Sequence, residues 1–177
     1  DISSASYFMA AALLAPKSEV TLRGIGVNPG RTGILEVLHR MGGDFEVTSE
    51  EIISNEPVAD IKIKTSKLKG IELSGEIIPR IIDEIPIIAV LATQAEGKTV
   101  VRGASELRVK ESDRISTMAD GLKRMGVRIT ELPDGFIIDG KSRLKGARCM
   151  SFKDHRIAMA LSIAGFVAEG KTIIEDV

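Results

Sequence analysis

The chain has 177 residues with 24 basic and 25 acidic side chains, so its net charge of −1 supplies no global field to draw it to nucleic acid or an anionic membrane. Apolar residues make up 44%, yet there are five Phe, one Tyr and no Trp, which commits the core to aliphatic side chains and leaves almost nothing for base stacking. The single cysteine, Cys149, excludes a disulfide framework and a cysteine metal site and fits a reducing cytoplasm, while no apolar run reaches the ~18 residues of a membrane span.

The first predicted unit opens with an Ala-rich helix around Ala10-Ala-Ala-Leu-Leu-Ala15, turns at Pro16 and enters a strand that ends at Gly24. A second helix closes at Leu38-His-Arg-Met-Gly42, where Gly suits the left-handed backbone just past a helix end. His39 on that helix reads as a surface residue, and the glycines of Gly24-Ile-Gly26 and Gly30-Arg-Thr-Gly33 read as turn residues, since neither matches a phosphate loop. Asp60-Ile-Lys-Ile-Lys64 alternates as a half-exposed strand should.

The second unit repeats the pattern. Ile85 to Ala95 is apolar nearly all round and predicts a deeply buried helix; Thr99-Val-Val101 is its strand. Ile115, Met118, Ala119, Leu122 and Met125 then form one apolar helical stripe, closing at Leu122-Lys-Arg-Met-Gly126 as the first unit does. Pro133-Asp-Gly135 predicts a hairpin turn between two strands. A third unit begins with Ile157 to Ala168, again apolar and expected to be buried, and Ala168-Glu-Gly-Lys-Thr172 repeats Ala95-Glu-Gly-Lys-Thr99 unchanged. Cys149 reads as a small semi-buried strand residue.

Recurrence at this period indicates stacked copies of one supersecondary unit: helix, strand, helix, strand, strand, opened by the last strand of the copy before. The expectation is an α/β fold of repeated β-α-β-α-β-β units, about two and a half of them in one incomplete domain spanning 1–177, with boundaries near 75–80 and 147–152. The third copy stops at Val177, where a second helix is due. This reads as a chain cut from something larger, with apolar surface and a strand edge left open.

The chemistry concentrates at helix entrances. Arg108-Val-Lys-Glu-Ser-Asp-Arg114 packs five charges between two apolar segments. If Leu107 to Lys110 is extended, Arg108 and Lys110 share a face; if Ser112 caps the next helix, Glu111 lies at its mouth and Arg114 in its first turn. Free N–H groups and the positive dipole end there suit a phosphate or carboxylate, and Arg114 adds a planar fork. A solvated junction accounts for the same residues. Asp154-His155-Arg156 repeats the arrangement at the third-unit helix, where His155 either binds an anion, moves protons or is structural. Asp83-Glu84-Ile-Pro86 opens the buried helix of the second unit; acids and Pro there also satisfy the first turn without any further role. Stacked units place the Asp83 and Asp154 entrances on a common rim.

Four motifs, Asp1-Ile-Ser-Ser-Ala-Ser-Tyr-Phe8, Asp83-Glu-Ile-Pro86, Arg108 to Arg114 with the following Ile-Ser-Thr-Met, and Asp154-His-Arg-Ile-Ala-Met159, resemble those of bacterial 5-enolpyruvylshikimate-3-phosphate synthases along the whole chain. The resemblance implies an inside-out α/β barrel built of two domains, of which this chain is most of one; the partner domain and a C-terminal tail would be absent. It implies transfer of the enolpyruvyl group of phosphoenolpyruvate to the 5-hydroxyl of shikimate 3-phosphate by a cytoplasmic monomer, with no metal or organic cofactor. By matching position, Asp83 would take the hydroxyl proton and Glu111 would protonate, then deprotonate, the methylene carbon. Lys110 would contact shikimate 3-phosphate; Arg114 and Arg156 would hold phosphoenolpyruvate, with His155 beside them. Some members carry Asn where this chain has Glu106. The isolated piece is expected to be inactive. The rival readings are a UDP-N-acetylglucosamine enolpyruvyl transferase and a non-catalytic repeat module.

Overall fold

The structure is a computed structural model describing residues 1–177. The first unit comprises α1 (Ile2–Leu14), β1 (Glu19–Gly26), α2 (Gly33–Arg40), β2 (Asp44–Ile53) and β3 (Glu56–Lys64). The second comprises β4 (Glu72–Leu73), α3 (Ile77–Ile81), α4 (Ile85–Gln94), β5 (Lys98–Val101), a 3-10 turn (Ser105–Val109), α5 (Arg114–Arg124), β6 (Arg128–Leu132) and β7 (Gly135–Asp139). The chain ends with β8 (Arg148–Met150), α6 (His155–Val167) and β9 (Ile173–Glu175).

The repeat is visible in the pairing. β4 runs parallel to β5 and β8 parallel to β9, each pair bracketing a buried helix, and β2–β3 and β6–β7 are antiparallel hairpins. The sheets are β1-β3-β2, β4-β5-β7-β6 and β8-β9. α1, α4 and α6 leave their units alike, with extended C-cap residues Ala15, Ala95 and Ala168. Gly42 and Gly126 hold positive φ at the ends of α2 and α5, as their place after Arg-Met requires.

These three Ala- and Ile-rich helices pack on one another and form the centre of the core. Nine consecutive residues of α4, Ile85 to Thr93, are buried, as its uniform apolarity demands. α6 departs from the expectation: Ile157, Ala158, Ala160, Leu161 and Ala164 are buried, but Ser162 and Phe166 are exposed. The reason is packing: α1, α4 and α5 cover its inner sides, and only the short β9 and the turn before it touch the other flank, leaving it partly open. The apolar stripe of α5 is buried from Ile115 to Leu122, with Met125 below it, and β3 alternates Ala59, Ile61 and Ile63 inward. Cys149 is fully buried in β8, deeper than a semi-buried position.

The tip of the β6–β7 hairpin buttresses the charged run. Pro133 and Asp134 form a two-residue turn, Leu132 pairing with Gly135. A Cβ on Gly135 would lie 2.0 Å from the Val101 carbonyl oxygen, so β5 and the hairpin approach only because that side chain is absent. Gly135→Ala should destabilise the fold by about 1–3 kcal/mol through overpacking, read from denaturant midpoints; an unchanged midpoint would show that the strands part without cost.

Candidate active site

Every chemically interesting side chain here is delivered by a helix entrance. Asp154 is the N-cap of α6: its Oδ1 accepts from the Arg156 and Ile157 N–H groups at 3.0 and 3.4 Å. Asp83 and Glu84 precede α4, with Pro86 in its first turn. Asp113 caps α5 by accepting from the Ser116 N–H at 3.0 Å, and Arg114 begins that helix.

Two details of the charged run differ from the sequence reading. The cap is Asp113 rather than Ser112, because the Ser112 hydroxyl is directed at Asp154 Oδ2, 3.1 Å away. Leu107 to Val109 is 3-10 rather than extended, so Arg108 and Lys110 do not share a face. Tertiary bonds favour the tighter turn. Leu107 is buried, and Arg108 donates to the Pro133 and Leu132 carbonyls, to Asp113 Oδ2 and to Glu131 Oε1, all within 2.7–2.9 Å. Arg108 therefore ties the hairpin tip to the α5 cap. Lys110 is paired with Glu106 on the same turn.

Arg114 is the centre of the arrangement. Its side chain is 1% exposed, and it donates through Nε to Asp154 Oδ2 (2.8 Å), through Nη1 to Asp83 Oδ1 (3.2 Å) and through Nη2 to Glu111 Oε2 (2.5 Å). Arg156 reaches the other side of Asp83, with Nη2 3.3 Å from Oδ2 and Nη1 3.4 Å from the backbone oxygen. Four of the six predicted site residues, Asp83, Glu111, Arg114 and Arg156, thus form one network. Lys110 belongs to the adjoining turn without bonding to the network, and His155 is exposed at the start of α6 and bonds to nothing in it.

Burial sorts the carboxylates. The side chains of Asp83 and Glu111 are 41% and 51% exposed, whereas Asp154 is wholly buried. Burial alone would pull the Arg114 guanidinium down, but the bond and charge of Asp154 hold it above its ordinary value. Burial would likewise lift the Asp154 carboxyl; Arg114, Ser112 and the Arg156 N–H together hold it below the usual range. A cavity of about 340 Å³ beside the network is lined by Ser3, Arg31, Arg80, Asp83, Glu84 and Arg156, among others. Burial pushes Tyr7 up to about 12 against the pull of Arg156, whose carbonyl accepts from the Tyr7 hydroxyl at 3.4 Å. Two half-exposed carboxyl groups held beside two guanidiniums, on helix entrances that offer N–H groups, can bind an anion and move protons next to it.

The family model for EPSP synthase (3-phosphoshikimate 1-carboxyvinyltransferase) matches residues 1–177. The chain belongs to the EPSP synthase family. It is 58% identical over 176 residues to a 3-phosphoshikimate 1-carboxyvinyltransferase of Thermoanaerobacter sp. (strain X514), covering 99% of this chain and 42% of the relative. It is 57% identical over 177 residues to that of Geobacter sp. (strain M21), covering 100% of this chain and 41% of the relative. The chain therefore spans well under half the length of these relatives. EPSP synthase from Acinetobacter baumannii superposes with a TM-score of 0.95 at 48% identity, over 99% of this chain and 41% of the other. The enolpyruvyl transferase NikO from Streptomyces tendae shares the fold at TM-score 0.75 and 20% identity, over 99% of this chain and 38% of the other. The α/β fold is that of the enolpyruvyl transferases, and no helix is long and apolar enough to cross a membrane.

The sequence of this EPSP synthase family chain predicts Glu84 only as a helix-start acid serving the first turn of α4, but its side chain caps nothing there: it is 4% exposed and accepts from the Ser3 hydroxyl. Burial pushes the Glu84 carboxyl up, opposed by Ser3 and Arg156 and reinforced by Asp83. A raised carboxyl is favoured protonated in the fold, so its contribution is fully present below the unfolded value and is lost as pH rises through the folded one. Glu84→Gln should accordingly show a shallower fall in melting temperature than the parent between about pH 4 and pH 8; parallel curves would refute the penalty.

Proposed function

We propose that this chain supplies half of an active site that transfers the enolpyruvyl group of phosphoenolpyruvate to the 5-hydroxyl of shikimate 3-phosphate, in a cytoplasmic monomeric enzyme. The observation that carries the reading is the Asp83–Arg114–Glu111 bridge, two half-exposed carboxylates held on either side of one guanidinium. Asp83 takes the proton of the attacking hydroxyl as its oxygen bonds to the central carbon of phosphoenolpyruvate. Glu111 delivers a proton to the methylene carbon. In the second half the carbon–oxygen bond to phosphate breaks, phosphate leaves and takes up the hydroxyl proton that Asp83 had held, and Glu111 takes a proton back from the methyl group, regenerating the double bond. Arg114 and Arg156 hold the anionic donor and stabilise charge as it gathers on the departing phosphate; His155 lies at the edge of that subsite. Lys110 exchanges Glu106 for shikimate 3-phosphate.

The names of the 57–58% identical relatives favour the shikimate acceptor over UDP-N-acetylglucosamine. The remaining ligand groups come from a second domain of the same enzyme, in keeping with relatives more than twice as long, and the 177-residue piece alone has no turnover.

In the full-length protein, Asp83→Asn and Glu111→Gln should each lower kcat by about 10²–10⁴-fold, followed as phosphate release from phosphoenolpyruvate and shikimate 3-phosphate. Unchanged rates would instead favour a non-catalytic repeat module, and phosphate release by the purified 177-residue piece would overturn the division of the site.

A further inference from the structure

We infer that Asp154 is a positioning residue, a buried anionic post that fixes the guanidinium plane of Arg114 and so sets how Arg114 presents itself to Asp83, Glu111 and a bound anion. The inference rests on the proposed role of Arg114 as an anion-binding group.

Both oxygens of Asp154 are committed. Oδ1 caps α6 through the Arg156 and Ile157 N–H groups, and Oδ2 accepts from Arg114 Nε and Ser112 Oγ. With both oxygens taken by protein donors and no exposed surface, the carboxylate has nothing left to offer a substrate, whereas the equally buried Arg114 keeps an N–H on each terminal nitrogen. Like Asp83 in the preceding unit, Asp154 lies at the mouth of a buried helix, but it is the N-cap itself, whereas Asp83 stands one residue before the N-cap Glu84. One guanidinium joins the two. Two helix mouths thus each bring a carboxylate to Arg114, and burial separates their duties: the open one faces the cavity, the closed one holds the arginine. Nε is the position that matters for orientation. A bond there removes rotation about the last side-chain torsion and leaves the terminal nitrogens, each with a second N–H uncommitted, directed at the Asp83 and Glu111 side.

Asp154→Asn separates orientation from capping. Asn caps a helix as well as Asp does, so α6 keeps its Oδ1 bonds while the anion facing Arg114 is lost. In the full-length protein, KM for phosphoenolpyruvate should rise about 10- to 100-fold, the loss expected for a charged hydrogen bond. kcat and KM for shikimate 3-phosphate should change less. In parallel, the Arg114 Nε–H resonance in the 15N-labelled parent should exchange slowly with solvent, even at about 1 M salt, because a buried pair is poorly screened; in Asp154→Asn it should shift and exchange faster. Fast exchange in the parent overturns the inference even if the variant does not fold. So does an unshifted resonance in a folded variant, or a fall in kcat that merely tracks the fraction of folded protein. A shifted resonance with unchanged KM keeps Asp154 as the post for Arg114 and overturns instead the assignment of Arg114 to the donor.

Discussion

The site depends on one guanidinium being held in a plane. Arg114 bonds to carboxylates from the entrances of α4 and α6 and from the turn before its own helix, so three segments distant in sequence or in fold are registered by a single side chain. The bonds are not equal. Those to Asp83 and Glu111 end on groups roughly half open to water, where ion pairs are worth about 0–1 kcal/mol. The bond to Asp154 is wholly buried, and removing one partner of such a pair costs about 3–5 kcal/mol because a charge is left uncompensated. Asp154 therefore decides where Arg114 sits, and Asp83 and Glu111 stay free to change partners without endangering the fold.

The backbone prepares this arrangement before any side chain is considered. A buried helix can start with an acid only if the acid serves its unsatisfied N–H groups, reaches water or finds a donor on a neighbouring element. In α6 Asp154 serves the N–H groups; in α4 the acids are shared, Glu84 turning inward to Ser3 and Asp83 outward to the cavity. Arg114 in the first turn of α5 opposes the helix dipole, and the three carboxylates around it supply the compensating charge.

Much of this was legible in the sequence. The 3.6-residue stripe gave α5, uniform apolarity gave the buried character of α4, the alternation gave β3, Pro133-Asp-Gly135 gave the hairpin, and the Arg-Met-Gly and Glu-Gly-Lys echoes gave the repeat. The rim of helix entrances came from the repeat, and the family resemblance singled out Asp83, Glu111, Arg114 and Arg156, which the structure joins in one network. What stayed hidden was set by long-range contact. Nothing local says that Leu107 to Val109 tightens into a 3-10 turn: the cause is Arg108 reaching the carbonyls of Leu132 and Pro133 on a hairpin some two dozen positions later. Nothing local distinguishes Ser112 from Asp113 as the cap, since the choice is made by Asp154 drawing the serine hydroxyl away. The repeat that placed Asp83 and Asp154 at the entrances of successive buried helices could not say which one would be buried.

The two anchors of the charged run act from opposite sides and by different physics. Arg108 ties it to the β6–β7 turn through carbonyl oxygens and half-exposed carboxylates, a set of geometrically specific bonds in which backbone groups do most of the fixing. Asp154 ties it to α6 through one buried charge pair and the Ser112 hydroxyl. Between them lie Lys110 and Glu111, whose own partners are exposed or shared. A turn clamped at both ends but loose at its centre suits the exchange of an internal ion pair for a ligand that we propose for these residues: the backbone stays put while the side chains move. The separation between the rigid ends and the exchangeable middle comes from burial, and burial here is set by where the repeat stacks its helix entrances.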